Sequence, residues 1–221
     1  MTRPGGTLDR RAFILEHTRL QRPPHAPELE LYLASEVEPI WRETETALAE
    51  TGLDPPFWAF AWAGGQALAR YLLDHPAEVA GKRVLDFATG SGLVAIAAMK
   101  AGAASVLASD VDSFCEAAVA LNAAANGVEA AFTGQDLLAQ DPPEVDAILA
   151  GDICYEWPLA DRVREWLQVA HRRGTRVLIG DPGRAYLPRE GLRLLARYEI
   201  ETTRELEDRE IRSTGVFTFE D

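Results

Sequence analysis

Residues 86–92 read Asp-Phe-Ala-Thr-Gly-Ser-Gly, and another acid, Asp110, stands twenty positions after Gly90. The apolar run Arg83-Val84-Leu85-Asp86-Phe87 enters this stretch, and a helical pattern, Leu93 to Lys100, leaves it. Glycines at a strand–helix turn let the backbone approach a ligand, and the opening helix offers amide donors with no partner of their own. A carboxylate just beyond the next strand, where Asp110 falls, accepts hydrogen bonds from both hydroxyls of a ribose. These residue types suggest the holding of a nucleoside cofactor. Read from Gly90, the pattern is G-x-G-x-x-A, a dinucleotide fingerprint; read from Asp86, it is D-x-x-x-G-x-G.

Three observations favour the second pattern, the first motif of methyltransferases that use S-adenosyl-L-methionine. A dinucleotide domain commonly begins its chain with this strand, which here starts only at Arg83. Asp86, near the strand end, suits the cationic methionine portion of the cofactor; the dinucleotide reading leaves it unused. The only lysines are Lys82 and Lys100, so the Tyr-x-x-x-Lys pair of a short-chain dehydrogenase cannot lie downstream.

Other reactive residue types point nowhere in particular. His17, His25, His75 and His171 lack metal-ligand spacing, so no metal site is expected and surface positions are. Two cysteines, Cys115 and Cys154, make no disulfide framework, and Cys154 reads as a small packing residue.

The elements that must position the loop alternate. Strands are expected at Arg83–Phe87, Ser105–Ser109, Val128–Thr133, Val145–Ala150 and Arg176–Gly180, with helices at Leu93–Lys100, Ser113–Asn126 (capped by Ser113) and Leu159–His171. Alternation of this kind implies a doubly wound, mostly parallel sheet with right-handed crossovers. The tail differs: Tyr198–Thr203 and Ile211–Phe219, joined by the charged turn Arg204–Glu210, predict an antiparallel hairpin that ends the sheet. Ahead of the sheet, residues 9–50 read as two helices. In the second, Leu29, Leu33, Val37, Ile40 and Trp41 form one stripe, interrupted by Pro39. After Asp54-Pro55-Pro56 and the aromatic run Phe57 to Trp62, Gly64-Gly65 leads into a helix over Gln66–Asp74. The division expected is an N-terminal helical extension over 1–56 and a catalytic domain over 57–221.

Composition narrows the function. The chain has 221 residues, 22 Lys+Arg and 35 Asp+Glu, for a formal charge of −13. Such a field repels nucleic acid and draws cationic protein surfaces. No apolar run approaches a membrane span, and the Arg-containing N-terminus carries Asp9 and Glu16 without a long apolar core, so a cytoplasmic protein is expected.

Four segments together resemble a known family. They are Phe57-Trp58-Ala59-Phe60-Ala61-Trp62-Ala63-Gly64-Gly65-Gln66, the Asp86–Gly92 loop, Gly151-Asp152-Ile153-Cys154-Tyr155-Glu156, and Val177-Leu178-Ile179-Gly180-Asp181-Pro182-Gly183-Arg184. The chain is similar to the seven-strand protein-lysine methyltransferases and, within them, to the group that modifies the electron transfer flavoprotein β subunit. The resemblance runs from about Asp9 to Phe219. It implies a Rossmann-like seven-stranded sheet, S-adenosyl-L-methionine as cofactor and a protein substrate; a monomer is expected. It also implies roles. Trp62 helps wall the cofactor site, Ala88, Thr89, Gly90 and Gly92 form the turn around its amino-acid part, and Asp110 holds the ribose. Asp136 and Leu137 fall at the adenine, and Gly151 lies where the fourth strand of the sheet meets the cofactor. Asp152 and Tyr155 match the family's acid-x-x-aromatic signature. Ala88 stands where glycine is usual, Ala63 where proline is common, and Cys154 where an aromatic residue is usual.

The chemistry at Asp152 follows from lysine itself. Its amine, with a reference pKa of about 10.4, must lose a proton before it attacks. A carboxylate at the sheet's edge attracts and orients the incoming ammonium, but it also stabilises the protonated form and so is no strong base. Tyr155 can hydrogen-bond to the amine or wall its channel. A cap on the following helix is the other role open to Asp152. At this point methylation of another protein or a small amine, or cofactor binding without turnover, remain alternatives.

Overall fold

The computed structural model describes residues 9–35, 40, 55–202 and 210–220. Helix α1 (Arg10–His17) is capped by Asp9, whose side chain accepts from the Ala12 N–H at 3.1 Å. Strands β1 (Arg19–Gln21) and β2 (Leu31–Leu33) then pair antiparallel. This corrects the second expected helix, whose first part is strand. Leu29, Leu31 and Leu33 are all buried, a period of two rather than 3.6, and the Tyr32 N–H is bonded by the side chain of Asn122 at 2.7 Å. Ile40 is helical and buried; residues 36–39 and 41–54, with the expected kink at Pro39, lie outside the described residues.

From Ala63 onward, helix and strand alternate: α2 (Ala63–Asp74), β3 (Arg83–Phe87), α3 (Leu93–Lys100), β4 (Ser105–Ser109), α4 (Cys115–Ala125), β5 (Ala131–Thr133), β6 (Ala147–Gly151), α5 (Leu159–Arg172) and β7 (Arg176–Asp181). Strands β8 (Leu192–Glu201) and β9 (Ile211–Phe219) complete a seven-stranded sheet in the order β5-β4-β3-β6-β7-β9-β8. β3 to β7 run parallel, whereas β9 joins β7 and β8 antiparallel. The expected architecture is thus the observed one.

Both faces of the sheet are covered, so its central strands bury consecutive residues. Val84, Ala147, Leu149 and Leu178 pack beneath α2 and α3, while Leu85, Phe87, Ile148, Ala150 and Ile179 pack beneath α5. Each large apolar side chain so buried contributes about 1.5–3 kcal/mol.

Several boundaries differ from expectation, among them the start of β5 at Ala131 rather than Val128 and of β6 at Ala147 rather than Val145. α2 begins at Ala63 rather than Gln66. β8 begins six residues ahead of Tyr198, and most of its residues are exposed or half-buried, as an edge strand allows. Ser113 does not cap α4: its hydroxyl accepts from Arg10 Nε at 3.1 Å, and the carboxylate of Asp112 accepts from the Phe114 N–H at 2.8 Å. Most of the expected hairpin tip, residues 203–209, lies outside the described residues.

The N-terminal residues pack onto α4. Ile14, Trp58 and Phe60 form a cluster with Phe114, Ala118 and Leu121, in which the Trp58 and Phe114 rings stack at 5.1 Å. Asn122, fully buried on α4, ties two regions at once. Its Oδ1 accepts from the Tyr32 N–H, and its Nδ2 donates to the Ser91 carbonyl at 2.8 Å. The extension is therefore joined through one side chain to the glycine loop.

Candidate active site

Ligands of doubly wound sheets bind outside the carboxyl ends of the strands. Here a cleft of about 690 Å³ opens at the ends of β3, β4 and β6. The loop after β3 carries three residues with left-handed backbone, Ala88 (φ 55°), Gly90 (φ 53°) and Gly92 (φ 82°), of which Ala88 and Gly90 line the cleft. At Ala88 a side chain in this region costs roughly 1–2 kcal/mol, which explains why glycine is usual there. The Thr89 N–H donates to the Ser109 carbonyl at 3.0 Å, stitching the loop to β4. Asp110 completes the turn: one carboxylate oxygen accepts from the Gly90 N–H at 2.9 Å, the other from the Asp112 N–H at 3.0 Å. Asp110 lines the cleft, and each oxygen has capacity for a further hydrogen bond.

Ala88, Gly90, Asp110, Asp136, Leu137, Gly151, Asp152, Tyr155 and Trp62 all line this cleft. Val111, Leu137 and Leu138 make one end of it apolar. Asp136 caps the short turn Leu137–Ala139, its side chain accepting from the Leu138 N–H at 3.0 Å. Three expected residues lie outside the cleft wall. Thr89, Gly92 and Asp86 sit behind the loop, Asp86 with its side chain enclosed. Its carboxylate, 1% exposed, accepts from the Thr89 hydroxyl and, at 2.9 Å, from the Ala95 N–H in the first turn of α3. Burial pushes its pKa up to about 7 against these two bonds.

The other end of the cleft is built on close backbone approach. A Cβ on Gly151 would come within 3.0 Å of the Gly65 Cα, so α2 starts almost in contact with the end of β6. From there the Gly65 N–H donates to Asp152 Oδ2 at 3.0 Å. Arg184, at the turn after β7, donates to Asp152 Oδ1 through Nη2 at 2.7 Å and Nε at 3.1 Å. Asp181 holds that turn, accepting the Gly183 and Arg184 N–H groups at 2.7 Å each. Asp152 is thus no helix cap; α5 opens at Leu159 after Pro158. Trp62 donates its indole N–H to the Phe57 carbonyl at 2.9 Å, and Phe57 lies between the Trp62 ring at 5.8 Å and the Tyr155 ring at 6.0 Å. Burial and the neighbouring Asp181 and Asp152 push the Cys154 thiol up to about 12, so it stays protonated and is no nucleophile.

Sequence reasoning missed the Asp152–Arg184 pair and the placement of Phe57 and Glu156 on the cleft wall. Among the described residues, no group of three or more His, Cys, Asp or Glu side chains is placed to hold a metal, and no helix is long and apolar enough to cross a membrane.

Comparison with known proteins agrees with this geometry. The profile of the ribosomal protein L11 methyltransferase family matches residues 66–165. The electron transfer flavoprotein beta subunit lysine methyltransferase of Xenopus laevis is 38% identical over 216 residues, which are 95% of this chain and 87% of that protein. The Mus musculus protein of the same name is 36% identical over 97% of this chain and 87% of its own length. Among solved structures, the ribosomal protein L11 methylase of Lactobacillus delbrueckii subsp. bulgaricus superposes with a TM-score of 0.53 at 25% identity, covering 77% of this chain and 83% of that one. Magnesium protoporphyrin IX methyltransferase of Synechocystis PCC 6803, solved with S-adenosylmethionine, shares the fold alone: TM-score 0.55, 16% identity, 98% and 100% covered.

Proposed function

The chain belongs to the electron transfer flavoprotein β subunit lysine methyltransferase family, and on that premise we propose that it methylates lysine side chains of the electron transfer flavoprotein β subunit with S-adenosyl-L-methionine as donor. The residues of the cleft fit that donor. The two Asp110 oxygens have lone pairs left for a pair of ribose hydroxyls. Val111, Leu137 and Leu138 offer an apolar wall to an adenine, with Asp136 at its rim. Ala88 and Gly90 bring the backbone close to the amino-acid portion, with Trp62 flanking it. Asp86, Thr89 and Gly92 act one layer back, fixing the turn that these atoms occupy.

When bound, S-adenosyl-L-methionine supplies a methyl group already activated on a sulfonium sulfur. The chain's task is then to align a nucleophile, and positioning of this kind is worth several orders of magnitude in rate. Asp152 orients the lysine ammonium at the inner end, while Phe57, Trp62 and Tyr155 wall its alkyl stem. The ammonium must lose a proton before attack, and Asp152 does not serve as a strong base for that step. The part of residues 1–56 that is described packs on α4, and we assign 57–221 to the transferase domain proper.

The observation that carries this reading is the union, in one cleft, of a ribose-type carboxylate at Asp110 and a carboxylate with aromatic walls at Asp152. Incubation with labelled donor and whole-cell extract tests it. One labelled band that maps to the flavoprotein β subunit supports it, and label confined to small molecules refutes it. The profile match to ribosomal protein L11 methyltransferases favours a second reading, which label on a ribosomal protein would establish.

A further inference from the structure

Arg184 and Asp152 form a nearly buried pair at the inner end of the cleft, their side chains 18% and 11% exposed. The two guanidinium nitrogens both reach Asp152 Oδ1, at 2.7 and 3.1 Å, and the Gly65 N–H takes Oδ2 at 3.0 Å. A carboxylate offers about four acceptor directions; Arg184 takes both on Oδ1 and Gly65 one on Oδ2, so an incoming ammonium finds at most a single one open unless Arg184 gives way. The guanidinium carbon also lies 5.8 Å from the centre of the Trp62 ring, a cation–π position. A cation on Asp152 and against an aromatic face is the arrangement required of a substrate lysine.

We propose that Arg184 is a built-in occupant of the acceptor-lysine subsite, displaced by the substrate ammonium, and that this exchange sets the specificity of the site for a cationic side chain. The inference rests on the methyltransferase reading above. Withdrawing Arg184 with nothing in its place strands a buried carboxylate, which is strongly unfavourable; neutral groups and water therefore leave the subsite closed, while a compact ammonium restores the charge balance. The backbone need not move, because Asp181 keeps its bonds to the Gly183 and Arg184 N–H groups. Glu156, on the same wall, offers the released guanidinium an anionic partner. Occupancy by Arg184 lowers apparent affinity for an ammonium by the fraction of time the subsite stands open.

The test titrates n-butylammonium, a lysine side chain without its backbone, into the protein saturated with S-adenosylhomocysteine, with binding read by ligand-observed NMR. Arg184→Gln should bind it about fivefold or more tightly than wild type, and Asp152→Asn added to that variant should abolish the gain. Equal or weaker binding by Arg184→Gln overturns the proposal. In the wild-type protein, the Arg184 Nε–H signal should shift as butylammonium saturates; a signal that does not respond also overturns it. If the methyltransferase reading alone fails, wild type transfers no methyl group to protein while both binding results stand.

Discussion

A Cβ on Gly180 would stand 2.1 Å from the Gly64 carbonyl oxygen, and one on Gly64 would stand 2.3 Å from the Gly180 carbonyl oxygen. The first turn of α2 is pressed directly against the end of β7, and this contact holds the Gly65 N–H against Asp152. Gly180→Ala must separate backbone from backbone, so a loss of roughly 1–3 kcal/mol or more is expected by urea denaturation. Gly65→Ala places its Cβ 3.7 Å from the Leu93 side chain and 3.9 Å from Val94, ordinary contact distances. It should change stability by less than about 1 kcal/mol. Equal losses for the two would show that the close approach is not what sets this corner.

Asp110 joins the loop to the ligand. Asp110→Ala removes the acceptor of the Gly90 and Asp112 N–H groups together with the capacity left for further hydrogen bonds. Hydrogen bonds to a charged group are worth about 1.5–3 kcal/mol each, so calorimetric affinity for S-adenosylhomocysteine should fall by roughly ten- to a hundredfold or more. An unchanged affinity would remove Asp110 from the binding site.

Asp86 makes stability fall as pH rises. Its pKa in the folded chain, about 7, lies above the value near 3.8 of a free side chain. Between those values the folded chain holds a proton that the unfolded chain has released, so this contribution is full below about pH 4 and is lost as pH passes about 7. Asp86→Asn cannot ionise and keeps a carbonyl oxygen for Thr89 and Ala95. The Tm of wild type relative to this variant should therefore decline from pH 5 to pH 8; a gap independent of pH would contradict the assignment.

Much of the sheet was legible because its signals are local. β3 and β4 matched at both ends, since their apolar runs are bounded by turn residues. β2 was missed because Leu29, Leu31 and Leu33 satisfy a period of two within a stripe that also satisfies 3.6, and the partner that decides between them, Asn122, lies 90 positions from Tyr32. Ser113 looked like a cap, but tertiary contact with Arg10 took its hydroxyl, and the side chain of Asp112 bonds the Phe114 N–H just ahead of the helix. In the site, Asp110 could be read from its spacing to Gly90. The Arg184 pairing joins residues 32 positions apart, and no local pattern encodes it. The Asp86 bonds to Thr89 and Ala95 were not legible, because a motif gives a residue's position in a loop but not the direction of its side chain.

Asn122 should matter out of proportion to its distance from the chemistry. Asn122→Ala frees both the Tyr32 N–H and the Ser91 carbonyl, each left to find water in a buried setting. The expected cost is about 2–4 kcal/mol, with faster amide exchange at Tyr32. Asn122→Asp keeps the acceptor for Tyr32 but loses the donor to Ser91 and sets a buried carboxylate against that carbonyl, so it should protect Tyr32 while loosening the glycine loop. If both variants leave Tyr32 equally protected, the extension is not held through this residue.

The most direct test is the intact mass of purified electron transfer flavoprotein β subunit after incubation with this protein and S-adenosyl-L-methionine. The account predicts a mass gain of whole methyl groups located on lysine, slowed at least about tenfold by Asp152→Asn, because a misoriented amine forfeits the positioning on which the reaction depends. A β subunit of unchanged mass, or one methylated equally fast by Asp152→Asn, would contradict it.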